Sequence, residues 1–196
     1  YDNFDIYFKK NVILTINSIE DVKKIISFTN KANKTIRCHI KIDTGMNRMG
    51  CKESDFSQIY SYVSNHKLLY LEGVNSHLAS SSNLDAFSNS SQFDKFKKTI
   101  SFVKNDKVDF HILNSGGLFN FREYRYNIIR PGISIYGISP IGINKKLKPV
   151  MEFKAPIVLF KKIYKGETVG YDCIYKAKND MNIAILQCGY ADGLNK

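Results

Sequence analysis

Apolar positions along this chain follow two rhythms, and the change from one to the other divides it. Residues 12–17, Val-Ile-Leu-Thr-Ile-Asn, form a buried-strand run, and behind a capping Ser18 with Asp21 three positions on, Val22, Ile25, Ile26 and Thr29 recur at helical spacing. Asn33 and Lys34 end that helix. The next run, 36–43, alternates: Ile40 and Ile42 point to one side of a strand, and His39, Lys41 and Asp43 to the other. Phe56, Ile59, Tyr60 and Val63 predict a helix beginning at Ser54, and residues 69–76 a third strand. A loop rich in Ser and Asn over 78–91 precedes a third helix, marked by Phe93, Phe96, Ile100 and Val103. Strand signals return at 108–113 and, after a short helical piece, at 128–136. Strands and helices alternating in this way argue for an α/β fold, a parallel sheet with helical crossovers.

Beyond Gly137 the helical period stops. Residues 138–149 are a linker of Gly, Pro and Lys, and the alternating runs at 157–160 and 183–186 are separated by turn signals alone. Two domains are expected, an α/β domain with its linker over 1–149 and the beginning of a β domain over 150–196. No repeat of fixed period is present.

Three ionisable side chains on one face of the 36–43 strand need partners or water. That face lines a polar interior or a site, or else the strand is a solvated edge. The strand breaks at Asp43-Thr44-Gly45, and Arg48 follows. Other strands of the first domain also end in polar or glycine-rich tails: Ser76-His77, Asn114-Ser115-Gly116-Gly117 and Arg130-Pro131-Gly132. In a parallel βα barrel such tails converge on one rim, where these folds build their sites. Ser115 with the glycines after it, and Gly132, are suited to aim backbone N–H groups at an anion. Singly, each tail reads as readily as an ordinary turn, and His77 as a structural histidine; four tails in register are a stronger signal.

Composition narrows the class. The 196 residues are 43% hydrophobic and 13% aromatic, globular values with room for one sizeable core, or one domain and part of another. No apolar run approaches the roughly 20 residues of a membrane span, and the first residues are unlike a signal peptide, so a soluble, cytoplasmic protein is expected. Cys38, Cys51, Cys173 and Cys188 lack C-x-x-C spacing and read as reduced thiols; His39, His66, His77 and His111 form no ligand pair, so no metal is implied. A net charge of +11 would suit a polyanionic partner. Yet the lysines are scattered as pairs on helix faces, without a basic stripe interleaved with aromatics, so nucleic acid is not an expected partner.

The run 39–50, His-Ile-Lys-Ile-Asp-Thr-Gly-Met-Asn-Arg-Met-Gly, closely resembles the signature of alanine racemases, roughly His-x-Lys-x-Asp-Thr-Gly-Met-x-Arg-x-Gly. Ser76-His77-Leu78-Ala79 is similar to that family's Thr-His-Phe-Ala, Asn114-Ser115 to its Asn-Ser, and 130–137, Arg-Pro-Gly-Ile-Ser-Ile-Tyr-Gly, to its Arg-Pro-Gly-x-x-x-Tyr-Gly. Gly166-Glu167-Thr168-Val169-Gly170-Tyr171 and Gly189-Tyr190-Ala191-Asp192-Gly193 resemble the two motifs of its β domain. The likeness runs in order over nearly the whole chain, although relatives acting on other amino acids share these motifs.

The resemblance implies a pyridoxal 5′-phosphate enzyme with an N-terminal TIM-type (β/α) barrel and a C-terminal β domain, a head-to-tail homodimer that interconverts L- and D-alanine for peptidoglycan synthesis. By it, Arg130 faces the pyridine nitrogen, Arg48 bonds the phenolic oxygen, and Lys41, carbamylated in many members, orients Arg48. Ser115, Gly132 and Ile133 hold the phosphate. Tyr171 is one of two catalytic acid–bases, reaching the cofactor of the partner subunit, with His77 of that subunit, counted among the cofactor-binding residues, hydrogen-bonded to it. Tyr190 lines the substrate entrance. From the residues alone, Tyr171 is as readily a turn tyrosine packed on the barrel, Glu167 a turn carboxylate and Asp192 a structural motif residue.

The chain departs from the family pattern in three places. An acidic residue five positions after the histidine and an arginine six after the second-motif tyrosine are replaced by Ser82 and Lys196. The family's cofactor-tethering lysine, in a Lys-Ala-x-Ala-Tyr-Gly-His-Gly-like motif on the first barrel strand, has no counterpart. The chain is therefore expected to be a fragment supplying the family's fourth to eighth strands. As such it would be inactive alone, prone to aggregate at its open sheet edges, and able to hold the cofactor only weakly through Arg48, Ser115, Arg130 and Gly132. Two other readings stand beside this one: a racemase of the same fold acting on serine, a basic amino acid or a broad range, and, remotely, a non-catalytic basic module with salt-dependent DNA binding.

Overall fold

Four short strands lie side by side and parallel in chain order, β1 (Leu14–Ile16), β2 (Ile36–Lys41), β3 (Leu69–Asn75) and β4 (Asp109–His111). The structure, a computed structural model, describes residues 4–142 and 146–194. It divides into two units, Tyr1–Val150 and Met151–Lys196. In the first, the sheet is joined by α2 (Ile19–Ala32), α3 (Glu53–Ser64) and α4 (Phe87–Ile100), preceded by α1 (Phe4–Lys9) and followed by α5 (Ser115–Asn120).

Local chemistry explains the helix ends. The Ser18 hydroxyl accepts from the Asp21 amide at 3.1 Å, and Asn33 closes α2 in the left-handed region at φ 49°, a conformation asparagine tolerates. Ile36, Cys38 and Ile40 of β2 are buried in one cluster with Val22, Ile25, Phe56, Ile59, Phe93 and Phe96 of the helices. Each such side chain contributes about 1.5–3 kcal/mol by leaving water. The alternation leaves Arg37, His39 and Lys41 on the opposite face, where Arg37 pairs with Glu72 of β3 at 2.6 Å.

Three expectations from the sequence are corrected. Helix α4 starts at Phe87, inside the stretch read as loop, because Asn89 and Gln92 are buried on its inner side and make it amphipathic in a way an apolar count misses. Ser115-Gly116-Gly117 is the first turn of α5, capped by Asn114, whose Oδ1 accepts from Gly117 at 3.1 Å. Residues 128–136 run beside β4, with Ile128 and Arg130 amides donating to Phe110 and Leu113 carbonyls, but form no fifth strand. Pro131 has no amide to offer, and Ile133–Tyr136 wind into a 3₁₀ turn.

The second unit holds two antiparallel pairs, β5 (Ile157–Ile163) with β8 (Met181–Leu186) and β6 (Thr168–Val169) with β7 (Tyr175–Lys176). Among its described residues only Ile163 and Ala177 are buried. No helix among the described residues is long and apolar enough to cross a membrane.

Candidate active site

The strand tails of the first unit are stitched laterally. The Ile42 amide donates to Asn75, Ser76 to His111 and Arg130 to Leu113, at 2.8, 3.1 and 3.0 Å. The segment from Asp43 to Gly50 closes on itself. Asp43 Oδ1 accepts from the Gly45 and Asn47 amides at 3.0 Å each, while Cys51 and Lys41 share a backbone bond of 2.8 Å across its neck. Gly50 makes that neck possible: its φ is +123°, and a Cβ there would stand 2.6 Å from the Asp43 nitrogen. The loop presents an exposed Arg48. Lys41 reaches toward Asn75 Oδ1 at 3.4 Å, and burial, then the charges of Arg130 and Arg48, hold its ammonium below the usual lysine range.

The Ser115 hydroxyl accepts from the Gly132 and Ser134 amides, at 2.8 and 3.3 Å. These are the amides a fifth strand would have needed. Ser134 Oγ is buried there with no partner among the described residues. The cradle opens into a cavity of about 290 Å³ whose lining includes His77, Ser82, Ser115, Arg130, Gly132 and Ile133 and, among the described residues, no carboxylate. Ser82, at the position where the family pattern is acidic, thus lies on the wall of the site.

Arg130 donates to His111 Nδ1 and to the Ser76 carbonyl. A guanidinium cannot accept, so Nδ1 of His111 is the unprotonated nitrogen and its Nε2–H donates to His39 Nδ1, at 3.0 Å. The tautomers of both rings follow from that order. His39 stands edge-on to His111 and occupies the space over Gly73, where a Cβ would meet its ring at 2.8 Å. A register shift between Cys38 and His39 in the β2–β3 pairing brings the ring to that gap. Burial, then Arg130, push His111 down to about 3. Burial, then Arg130, Lys41 and Arg48, push His77 down to about 4, and burial lowers His39 as well. At neutral pH the histidines are uncharged and the positive charge of the site resides on Arg130, Arg48 and Lys41.

Of the residues singled out from sequence, the first unit brings together Lys41, Arg48, His77, Ser115, Arg130, Gly132 and Ile133. Tyr171 and Tyr190 belong to the second unit. Tyr171 is 87% exposed in the turn Tyr171–Cys173, where Asp172 and Cys173 have φ of 57° and 52°. Tyr190 is exposed, and the carboxylates nearby are structural: Asp192 accepts from the Gly189 amide and Glu167 from that of Tyr164. Lys196 lies outside the described residues. Sequence reasoning missed the hydrogen-bonded pair of His39 and His111 and the burial of Gln92. The polar face of 36–43 pointed toward His39; a glutamine among serines gave no sign of Gln92.

A family model described as "Alanine racemase, N-terminal domain" matches residues 2–140, and "Alanine racemase, C-terminal domain" matches 150–196. The alanine racemase of Rickettsia bellii is 33% identical over 188 residues, 95% of this chain and 45% of that protein. That of Francisella philomiragia is 32% identical over 98% of this chain and 54% of its own length. Among solved structures, alanine racemase from Bartonella henselae with covalently bound pyridoxal phosphate matches with a TM-score of 0.84 at 25% identity, over 98% of this chain and 54% of that one. The Acinetobacter baumannii enzyme matches at 0.85 and 26%, with the same coverage of each chain. The chain spans about half the length of the relatives it matches.

Proposed function

The chain belongs to the alanine racemase family, and from that premise we propose that it carries the cofactor-binding and acid–base residues of an enzyme that interconverts L- and D-alanine with pyridoxal 5′-phosphate. The Ser115 cradle is the observation that carries the reading. Two amides converge on one hydroxyl, and among the described residues the buried hydroxyl beside them has no partner and the cavity wall holds no carboxylate. A phosphate oxygen is a stronger acceptor for such amides than a hydroxyl is.

In this reading Ser115, Gly132 and Ile133 hold the phosphate, Arg130 faces the ring nitrogen and Arg48 the phenolic oxygen. Bound there, pyridoxal 5′-phosphate supplies an electron-withdrawing ring that acidifies the α-proton of an amino acid joined to it. Arg130 keeps its protons at any working pH, and the neutral His111 behind it accepts a hydrogen bond from it, so neither protonates the ring nitrogen. Lys41, held below the usual lysine range by burial and then by two arginines, gives up a proton more readily than a free lysine, which favours carbamylation; as a carbamate it would hold Arg48 in place. Tyr171 takes and returns a proton at its phenolic oxygen, and its exposure suits a residue that serves the site of a second subunit in a homodimer. Cytoplasmic supply of D-alanine to peptidoglycan is the role this assigns.

The activity proposed is that of the whole protein containing this chain. In that enzyme Tyr171→Phe is expected to slow D-alanine formation from L-alanine roughly 100-fold or more, with the absorbance of the bound cofactor unchanged. Wild-type turnover by the variant would remove Tyr171 from the role. Turnover of serine or lysine in place of alanine by the unaltered enzyme would reassign the substrate.

A further inference from the structure

Among the largest fully buried side chains of the described residues one is polar, Gln92 of α4, at 1% exposure. Its amide is spent on the strand tails of the site. Nε2 donates to Thr44 Oγ1 at 3.0 Å and to the His77 carbonyl at 2.9 Å, and Oε1 accepts from the Ala79 amide at 2.9 Å. The Ala79 N–H fixes which end of the side chain is oxygen. From Thr44 the chain of donors continues: Ser76 Oγ gives its proton to the Ile42 carbonyl at 2.8 Å, so Thr44 donates to Ser76 across 2.7 Å. One helix side chain thereby ties the tail of β2, from which the Arg48 loop hangs, to the tail of β3, which carries His77. The loop also packs on it, since a Cβ at Gly45 would lie 3.5 Å from Gln92 Cγ.

We propose that Gln92 is a positioning residue, a clamp that sets the Arg48 loop and His77 at a fixed separation around one bound anionic cofactor. The inference rests on reading Arg48 and His77 as groups that share that cofactor. A glutamine needed only to fill the space would not use both of its donors and its acceptor on two different tails. Burying an amide is costly unless every group is satisfied, and here the satisfied groups all belong to the site.

The test follows His77 by NMR titration of its ring protons in the 196-residue chain, alongside thermal melting. Arg130, Lys41, Arg48 and the Asn114 amide face that ring. Gln92→Met keeps the volume and removes all three bonds. If Gln92 is a clamp, the tails part, water and distance relieve His77, and its midpoint rises from about 4 toward 6.5, by about one unit or more. Thr44→Val should move it the same way and Thr44→Ser should leave it in place. Should Gln92→Met fail to fold, the threonine pair decides alone. A lowered melting temperature with an unmoved His77 midpoint, or equal behaviour of Thr44→Val and Thr44→Ser, would overturn the proposal. Racemisation is not read in this experiment, so failure of the racemase reading leaves these outcomes standing.

Discussion

Replacing Gly73 with alanine should destabilise the first unit through one ring. A Cβ at position 73 would lie 2.8 Å from Cε1 and 2.9 Å from Nε2 of His39, inside any permitted contact. The strand backbone is held on both sides by β2 and β4, so the imidazole must swing aside. That breaks its 3.0 Å bond with His111 and leaves the His111 N–H, in a buried position, without an acceptor. An unsatisfied buried donor costs about 1–3 kcal/mol. The alanine returns about 0.5–1 kcal/mol by restricting the unfolded chain. A net loss of about 1–2 kcal/mol is expected, equivalent to a melting temperature lower by roughly 2–8 °C at this chain length. Urea unfolding followed by far-UV circular dichroism measures it, the chain having no tryptophan. The decisive comparison is a double-mutant cycle with His39→Ala, in which the ring the Cβ would meet is gone and Gly73→Ala becomes neutral or slightly stabilising. An equal cost in both backgrounds would refute the argument that Gly73 exists to admit His39.

Two further expectations concern the same site. Gly50→Ala combines a φ of +123° with a Cβ 2.6 Å from a backbone nitrogen, so it should cost about 2–3 kcal/mol; unchanged urea unfolding with unchanged Arg48 loop resonances would contradict it. His111 and His77 titrate near 3 and 4 in the folded chain against about 6.5 when unfolded, so between these values the unfolded state binds more protons. Stability should therefore be full above pH 6.5 and fall as pH drops toward 3, and a urea midpoint equal at pH 7 and pH 5 would show that the two rings are not held neutral.

Much of this arrangement was legible in local pattern. The apolar side of β2 marks its strand because Ile36, Cys38 and Ile40 must pack against helices, and Ser18 with Asp21 marks the start of α2 because the cap is made within three residues. Strand tails announce themselves through Gly, Ser, Asn and charged residues that cannot continue a sheet. What stayed hidden depends on partners distant in sequence. Residues 128–136 look like a strand by their isoleucines, but the Gly132 and Ser134 amides are drawn to a hydroxyl at position 115. Gln92 carries no mark of burial in its local pattern, since its partner Thr44 is 48 positions away. His39 and His111 meet across 72 positions, which no local spacing encodes. Tyr171 and Tyr190 were marked by family resemblance alone, because an exposed turn tyrosine carries no pattern of its own.

The central claim is that the first unit is built around a phosphorylated cofactor, and comparing pyridoxal 5′-phosphate with pyridoxal tests it most directly. Binding of each to the chain, and to its Ser115→Ala variant, can be followed by absorbance at fixed salt. The Ser115, Gly132 and Ser134 cradle should make the phosphorylated compound bind at least about tenfold tighter, a difference of about 1.4 kcal/mol. Ser115→Ala should remove most of that gap while leaving pyridoxal binding unchanged. Equal affinity of the unaltered chain for the two compounds would contradict the claim.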